Sequence, residues 1–200
     1  MIRNPYRHLY FSSPAANMDD SLLSSIEPEL DGYLFDRLDL SSGDRMLLVG
    51  AGTPDLIPLI RIRLGITGRL LVTDPDPEAL WGITGYDADW AILLEAKASA
   101  LPLRNSYLPT IVCWDSFLAI DDKKTAVKEF FRVLRPGGRV LIAQNGPGKP
   151  HGKPRPCSCG LRNLFIEAGF SKIDLENNEE MFLFSAEKVP GFFVASPASA

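Results

Sequence analysis

Short apolar runs ending in Gly or Asp alternate along this 200-residue chain with segments of helical period. That alternation predicts an α/β fold in three layers, a mostly parallel sheet with helices on both faces. A second observation concerns the far edge of the sheet. The last two apolar runs, around Lys172 to Leu175 and Met181 to Ser185, are joined only by Glu176-Asn177-Asn178-Glu179-Glu180. That link is too short for a helical crossover, so the last two strands are predicted to be antiparallel neighbours. The third observation is size: with 46% hydrophobic and 23% charged residues, the chain suits one core that buries roughly 70% of its unfolded surface.

Residues 1–44 read as a helical arm. Leu22, Leu23, Ile26, Leu30, Leu34 and Leu38 keep a helical spacing that Pro28 and Gly32 interrupt, so two short helices are expected. Pro28 then falls in the first turn of the second, where its missing N–H matters little. Tyr6, Tyr10 and Phe11 ahead of them are expected to pack on the core. The domain proper is expected over 45–188, with a tail over 189–200.

Within the domain the strand runs are MLLVG at 46–50, LLVTD at 70–74, WAILLE at 90–95, TIVCW at 110–114 and RVLIA at 139–143, followed by the terminal pair. After the first run, Asp55 as N-cap places Pro58 at the third helical position, where proline is tolerated. After the second, Asp76 is the natural cap for the next helix, which leaves Asp74 free. Val127, Phe130, Phe131 and Leu134 form one stripe on a helix from Asp122 to Leu134, which Pro136-Gly137-Gly138 stops and turns. Leu161, Leu164, Phe165 and Ala168 mark another helix, closed by Gly169 in the left-handed conformation.

The charge sum is 21 − 25 = −4 and the sequence pI is about 5.2, so the domain lacks the basic footprint of a nucleic-acid binder. No window supplies the ~18 apolar residues of a membrane span, and MIRNPYRHLYFSSP lacks the apolar stretch of a secretory signal. A cytoplasmic protein without membrane contact is expected. Three cysteines, Cys113, Cys157 and Cys159, cannot all pair, which fits a reducing compartment.

In an open parallel sheet a ligand sits beyond the carboxyl ends of the strands. At the first exit the sequence reads VGAGTPD, where Gly50 and Gly52 allow a sharp turn and a close approach to a ligand. Asp55 stands where a dinucleotide fingerprint has its last glycine, and an acid there repels a pyrophosphate. Asp74 ends the second strand, 24 residues after Gly50. A carboxylate at that point can accept both hydroxyls of a ribose.

The ordered set VGAGTPD, LLVTDPDPEAL, ALPLRNSYLPTIVCW, EFFRVLRPGGRVLIA and LRNLFIEAGF resembles the class I S-adenosylmethionine-dependent methyltransferases over about residues 45–187. The resemblance implies a Rossmann-like seven-stranded sheet in the order 3-2-1-4-5-7-6, the last strand antiparallel, and S-adenosylmethionine as cofactor. It also implies that Gly50, Ala51, Gly52 and Thr53 pass beneath the methionine part of the cofactor, and that Asp74, followed by Pro75, meets the ribose. Lys97 and Ala98 match the loop that meets the adenine, and Trp114 the surroundings of the reacting methyl. Three positions depart from the family pattern: Leu48 replaces an acid, Pro54 a glycine, and Lys97 an acid that accepts the adenine amino group, a task lysine cannot perform.

Methyl transfer from a sulfonium is an in-line displacement, so alignment in a dry cleft matters most. A base is needed only when the acceptor loses a proton. Candidates are Asp115, beside Ser116, and His151. The segment Gly146 to Gly160 carries Lys149, Lys153 and Arg155 without an acid, suited either to a lid over an anionic acceptor or to a solvated loop. The fourth strand runs into CWDSF, which lacks the Asn-Pro-Pro-aromatic signature of methyltransferases acting on exocyclic or amide nitrogens. Those nitrogen acceptors are disfavoured; a short N-terminal arm and no large insertion make a small molecule the expected acceptor, with protein or RNA left open. His151, Cys157 and Cys159 match no zinc spacing, and no metal is expected. The alternative is a catalytically inactive binding or regulatory protein that keeps the fold.

Overall fold

The computed structural model describes residues 37, 40–52, 56–83, 90–145, 156–177, 179 and 181–190. Strands β1 (Arg45–Val49), β2 (Arg69–Asp74), β3 (Ala91–Glu95), β4 (Leu108–Trp114), β5 (Leu134–Asn145), β6 (Ser171–Asn177) and β7 (Met181–Glu187) form one sheet. Its order is β3-β2-β1-β4-β5-β7-β6. β3, β2, β1, β4 and β5 run parallel, whereas β7 lies antiparallel to both β5 and β6. The seven-stranded Rossmann-like arrangement and the antiparallel final pair agree with expectation.

Strand alternation divides the apolar residues between two faces. Met46, Leu48, Val72 and Val112 lie in one cluster with Ile57, Ile60 and Leu64 of α1 (Leu56–Leu64) and Leu80 of α2 (Pro77–Trp81). Leu47, Val49, Ile111 and Ile142 lie in the other with Val127 and Phe130 of α3 (Lys123–Val133) and Leu161 and Phe165 of α4 (Ser158–Glu167). All seven residues of β4 are buried, as a central strand covered on both sides should be.

The helix boundaries follow from local chemistry. α1 begins at Leu56, so Pro58 is its third residue as expected, while Asp55 lies outside the described residues. Asp76 caps α2 by accepting from the Glu78 N–H at 2.9 Å. Asp122 caps α3 through Thr125, from its N–H at 2.9 Å and its hydroxyl at 2.6 Å. At the other end of α3, Lys188 Nζ donates to the carbonyls of Phe131 and Leu134 at 2.7 and 2.8 Å. That cap comes from beyond β7 and no local pattern announces it.

One expectation needs correction. Pro136-Gly137-Gly138 does not form a turn ahead of the fifth strand but lies inside it, because β5 already begins at Leu134. The pairing jumps from Leu108↔Leu134 to Thr110↔Arg139, so residues 135–138 bulge outward opposite Pro109. A Cβ on Gly138 would meet the Arg135 and Pro109 carbonyl oxygens at 2.8 and 2.9 Å, which explains the glycine there.

The helices expected over 22–38, the aromatics Tyr6, Tyr10 and Phe11, and residues 191–200 of the tail lie outside the described residues, apart from Arg37. Arg37 is helical and donates to Asp174 at 2.9 Å and to Glu176, both on β6. Arg139 on β5 donates to the Arg37 carbonyl at 3.0 Å. The approach to β1 is thus fastened to the far half of the sheet. No described helix is long and apolar enough to cross a membrane.

Candidate functional site

Parallel pairing brings the carboxyl ends of β1, β2, β3, β4 and β5 to one side of the molecule, and the expected site residues collect there. Gly50 leaves β1 with φ +91°, and its N–H donates to the Thr73 carbonyl at 2.8 Å. A Cβ at Gly50 would stand 2.5 Å from the Ser116 Cβ. Both the conformation and the crowding require glycine. Ser116, just past β4, donates its hydroxyl to the Val49 carbonyl, so the exits of β1 and β4 are pinned together. Gly52 differs: it is exposed, and a Cβ there would meet nothing within 4 Å.

Asp74 faces this turn. One carboxylate oxygen accepts from the Ala51 N–H at 3.0 Å and the other from the Asp76 N–H at 2.9 Å. The group is half-buried and held on both oxygens, yet each oxygen retains an acceptor position. Asp74 therefore ties the β1 exit to the β2 exit while keeping hydrogen-bonding capacity outward. Pro75 is exposed beside it.

The third exit is secured from β2 and α3. Asp74 pairs with Glu95, the Ala96 N–H donates to the Asp74 carbonyl at 3.1 Å, and Thr73 donates its hydroxyl to the Ala96 carbonyl at 2.9 Å. Beyond it Lys97 is exposed and Ala98 buried. The following loop rests on Arg132, which donates to the carbonyls of Leu101 and Leu103, to Asn105 and to both oxygens of Glu129. Glu129 also accepts from the Leu101 N–H at 3.0 Å. Its hydrogen bond from Arg132 holds the Glu129 carboxyl below the usual range, against the opposing effect of burial.

At the fourth and fifth exits the chemistry turns inward. Trp114 is 7% exposed and lies in the apolar cluster with Leu48 and Ala51, as a wall behind the turn. Leu48 is fully buried in that layer, which accounts physically for an apolar side chain at the position. Asp115 is buried, with φ +49°, a backbone region that Asp tolerates better than most residues. Its oxygens accept from the Asn145 N–H at 2.8 Å and the Asn145 side-chain amide at 2.7 Å. The carboxylate that stands as an acid–base candidate thus serves as a clamp between the ends of β4 and β5.

Sequence reasoning missed Asn145, Arg132 and Glu129. Asn145 had a readable signal, since a buried strand ending in consecutive amides, Gln144 and Asn145, needs partners for them. Arg132 and Glu129 had none, because their partners lie about thirty residues earlier on another element. Thr53, Pro54, His151, Lys149, Lys153 and Arg155 lie outside the described residues. Among the described residues no group of three potential metal ligands gathers.

A family model described as a methyltransferase domain matches residues 47–142. The ubiquinone/menaquinone biosynthesis C-methyltransferase UbiE of Xylella fastidiosa strain M12 is 27% identical over 134 residues, 64% of this chain and 52% of that protein. The chain thus spans about half the length of this curated relative. A SAM-dependent methyltransferase from Aquifex aeolicus superposes with a TM-score of 0.69 at 16% identity, covering 86% of this chain and 100% of the other. A Haemonchus contortus phosphoethanolamine N-methyltransferase solved with S-adenosylhomocysteine gives 0.66 at 14% identity, covering 81% and 53%.

Proposed function

The chain belongs to the class I S-adenosylmethionine-dependent methyltransferases, and from that premise we propose that it methylates a small-molecule acceptor by in-line transfer. S-adenosylmethionine, the cofactor of the family, supplies an electrophilic methyl on a sulfonium when bound. The residues present suit it. Gly52 leaves space where a side chain would stand, and Asp74 presents acceptor positions beside it, as a ribose requires.

The chain's own residues then divide the work. Asp74 would accept from the ribose hydroxyls, and the Gly50-Ala51-Gly52 backbone would carry the methionine part. Ala98 would meet the adenine through its backbone, beside the exposed Lys97. Trp114 and Leu48 form a dry wall that excludes water behind the turn. Asp115 holds the β4 and β5 exits in register. With its oxygens engaged by Asn145, it is a positioning residue rather than a base. His151 remains the candidate base for an acceptor that must lose a proton, and an acceptor with its own nucleophilic electron pair needs none.

The acceptor class rests on two supports: the relatives are named as ubiquinone/menaquinone biosynthesis C-methyltransferases, and the basic stretch Lys149, Lys153 and Arg155 favours an anionic molecule. Free thiols at Cys113, Cys157 and Cys159 suit a reducing, cytoplasmic setting. The observation that carries the proposal is the Asp74 carboxylate, held on Ala51 and Asp76 and aimed along the turn. Calorimetric titration tests it. S-adenosylmethionine and S-adenosylhomocysteine are expected to bind at micromolar levels, and Asp74→Ala to weaken them by roughly 1.5–3 kcal/mol, about tenfold to a hundredfold. Leu48, an apolar residue in place of an acid, favours a second reading, a non-catalytic binding module. Absence of binding to either ligand would select it.

A further inference from the structure

We propose that Cys157 and Cys159 form a thiol–disulfide exchange site at the head of α4, with small-molecule disulfides of the glutathione class as its substrate. Their Sγ atoms lie 2.9 Å apart, joined by a hydrogen bond, and both residues are exposed. Cys157 is the N-cap of α4 and Cys159 the second residue of the helix, so the pair occupies one turn that backbone geometry already brings together. Among the described residues no third potential metal ligand joins the two thiols. The remaining thiol, Cys113, is fully buried in the core between β4 and α3 and is pushed up by that burial, so it stays inert.

The two exposed sulfurs are not equivalent. The hydrogen bond with Cys159 lowers the Cys157 thiol first, and the amides of Gly160 and Cys159 lower it further. Cys159 is raised by the same contact. Cys157 is thus the more readily deprotonated of the two and the expected attacking sulfur, with Cys159 as the resolving partner. In sequence, the residues from Gly146 to Gly160 include Lys149, Lys153 and Arg155 and no acid, a composition that suits an anionic disulfide.

The exchange balances in two steps. The Cys157 thiolate attacks one sulfur of the disulfide R–S–S–R, breaking that bond, forming a mixed disulfide and releasing R–S⁻. Cys159 then loses its proton and attacks the Cys157 sulfur, closing the Cys157–Cys159 bond and expelling the second R–S⁻. The two protein thiols are oxidised, one disulfide is reduced to two thiols, and no other reactant enters. The site is independent of methyl transfer and stands whether or not the cofactor binds.

The experiment treats the reduced full-length chain with glutathione disulfide, quenches with acid and reads the peptide containing both cysteines by mass spectrometry. The expected product is the internal disulfide without retained glutathione, whereas Cys159→Ser retains one glutathione on Cys157. In wild type, limiting iodoacetamide should label Cys157 about tenfold faster than Cys159, with Cys113 unlabelled. A mixed disulfide persisting in wild type would overturn the proposal. So would equal labelling of the two sulfurs, or a Cys159→Ser chain that takes up no glutathione while its circular dichroism matches wild type.

Discussion

Two aspartates stand at strand exits on the same side of the sheet and have opposite fates. Asp115, leaving β4, is buried and spends its oxygens on Asn145. Asp74, ending β2, is half-buried and takes one backbone N–H on each oxygen. The difference comes from the neighbours. β5 delivers Asn145 within hydrogen-bonding reach of Asp115, whereas beside Asp74 the chain turns through glycines that bring no side chain. Each carboxylate accepts one donor on each oxygen, and what separates them is burial: Asp115 is enclosed, whereas Asp74 is half-buried beside a turn without side chains.

The β1 turn provides the most severe test of that contrast. Gly50→Ala forces a Cβ to 2.5 Å from Ser116 at φ +91°, and a loss of roughly 2–5 kcal/mol in urea unfolding is expected. A loss under 1 kcal/mol would mean that the turn relaxes freely and does not join the two exits. Asp115→Ala comes next, at roughly 2–3 kcal/mol, because both Asn145 donors lose their acceptor in a buried place. Asp74→Ala should destabilise less than Asp115→Ala in the same assay. The reverse order would erase the distinction between the two aspartates.

Acid titration probes the wall of the open side. The folded Glu129 carboxyl is depressed, so its contribution to stability is fully present above the ordinary carboxylate range and is lost as pH falls through the depressed value. Glu129→Gln should flatten the fall in stability with acid relative to wild type, measured by denaturant midpoint between about pH 6 and pH 3. An unchanged slope would detach Glu129 from the loop it holds. The smallest effect on stability belongs to Gly52→Ala, expected within ~0.5 kcal/mol of wild type because its Cβ meets nothing. Cofactor titration should nevertheless weaken, since that Cβ enters the space assigned to the ligand. Unchanged affinity would move the ligand away from Gly52.

Much of the architecture was legible from local pattern. The strand runs marked every strand, and the five-residue link between the last two told that they are antiparallel. Asp76 was readable as a cap because a cap acts within three residues of itself. The bulge at residues 135–138 was not, since a Pro-Gly-Gly run looks the same as a turn or as an excursion within a strand. Only pairing with β4 distinguishes them.

The candidate site divides along the same line. Gly50 and Asp74 stood out because backbone conformation and strand-end position are properties of the local chain. Whether a given carboxylate faces a ligand or a neighbour is not such a property. Asp115 meets an asparagine thirty residues further on, and the Glu129–Arg132 pair meets a loop about as far back. Those partners are selected by sheet order and by the packing of α3. The amino-acid order by itself determined which segments become strands and where the chain can turn, because periodicity and steric freedom act over a few residues. The tertiary structure alone decided which polar groups satisfy one another, because hydrogen bonding depends on proximity in space.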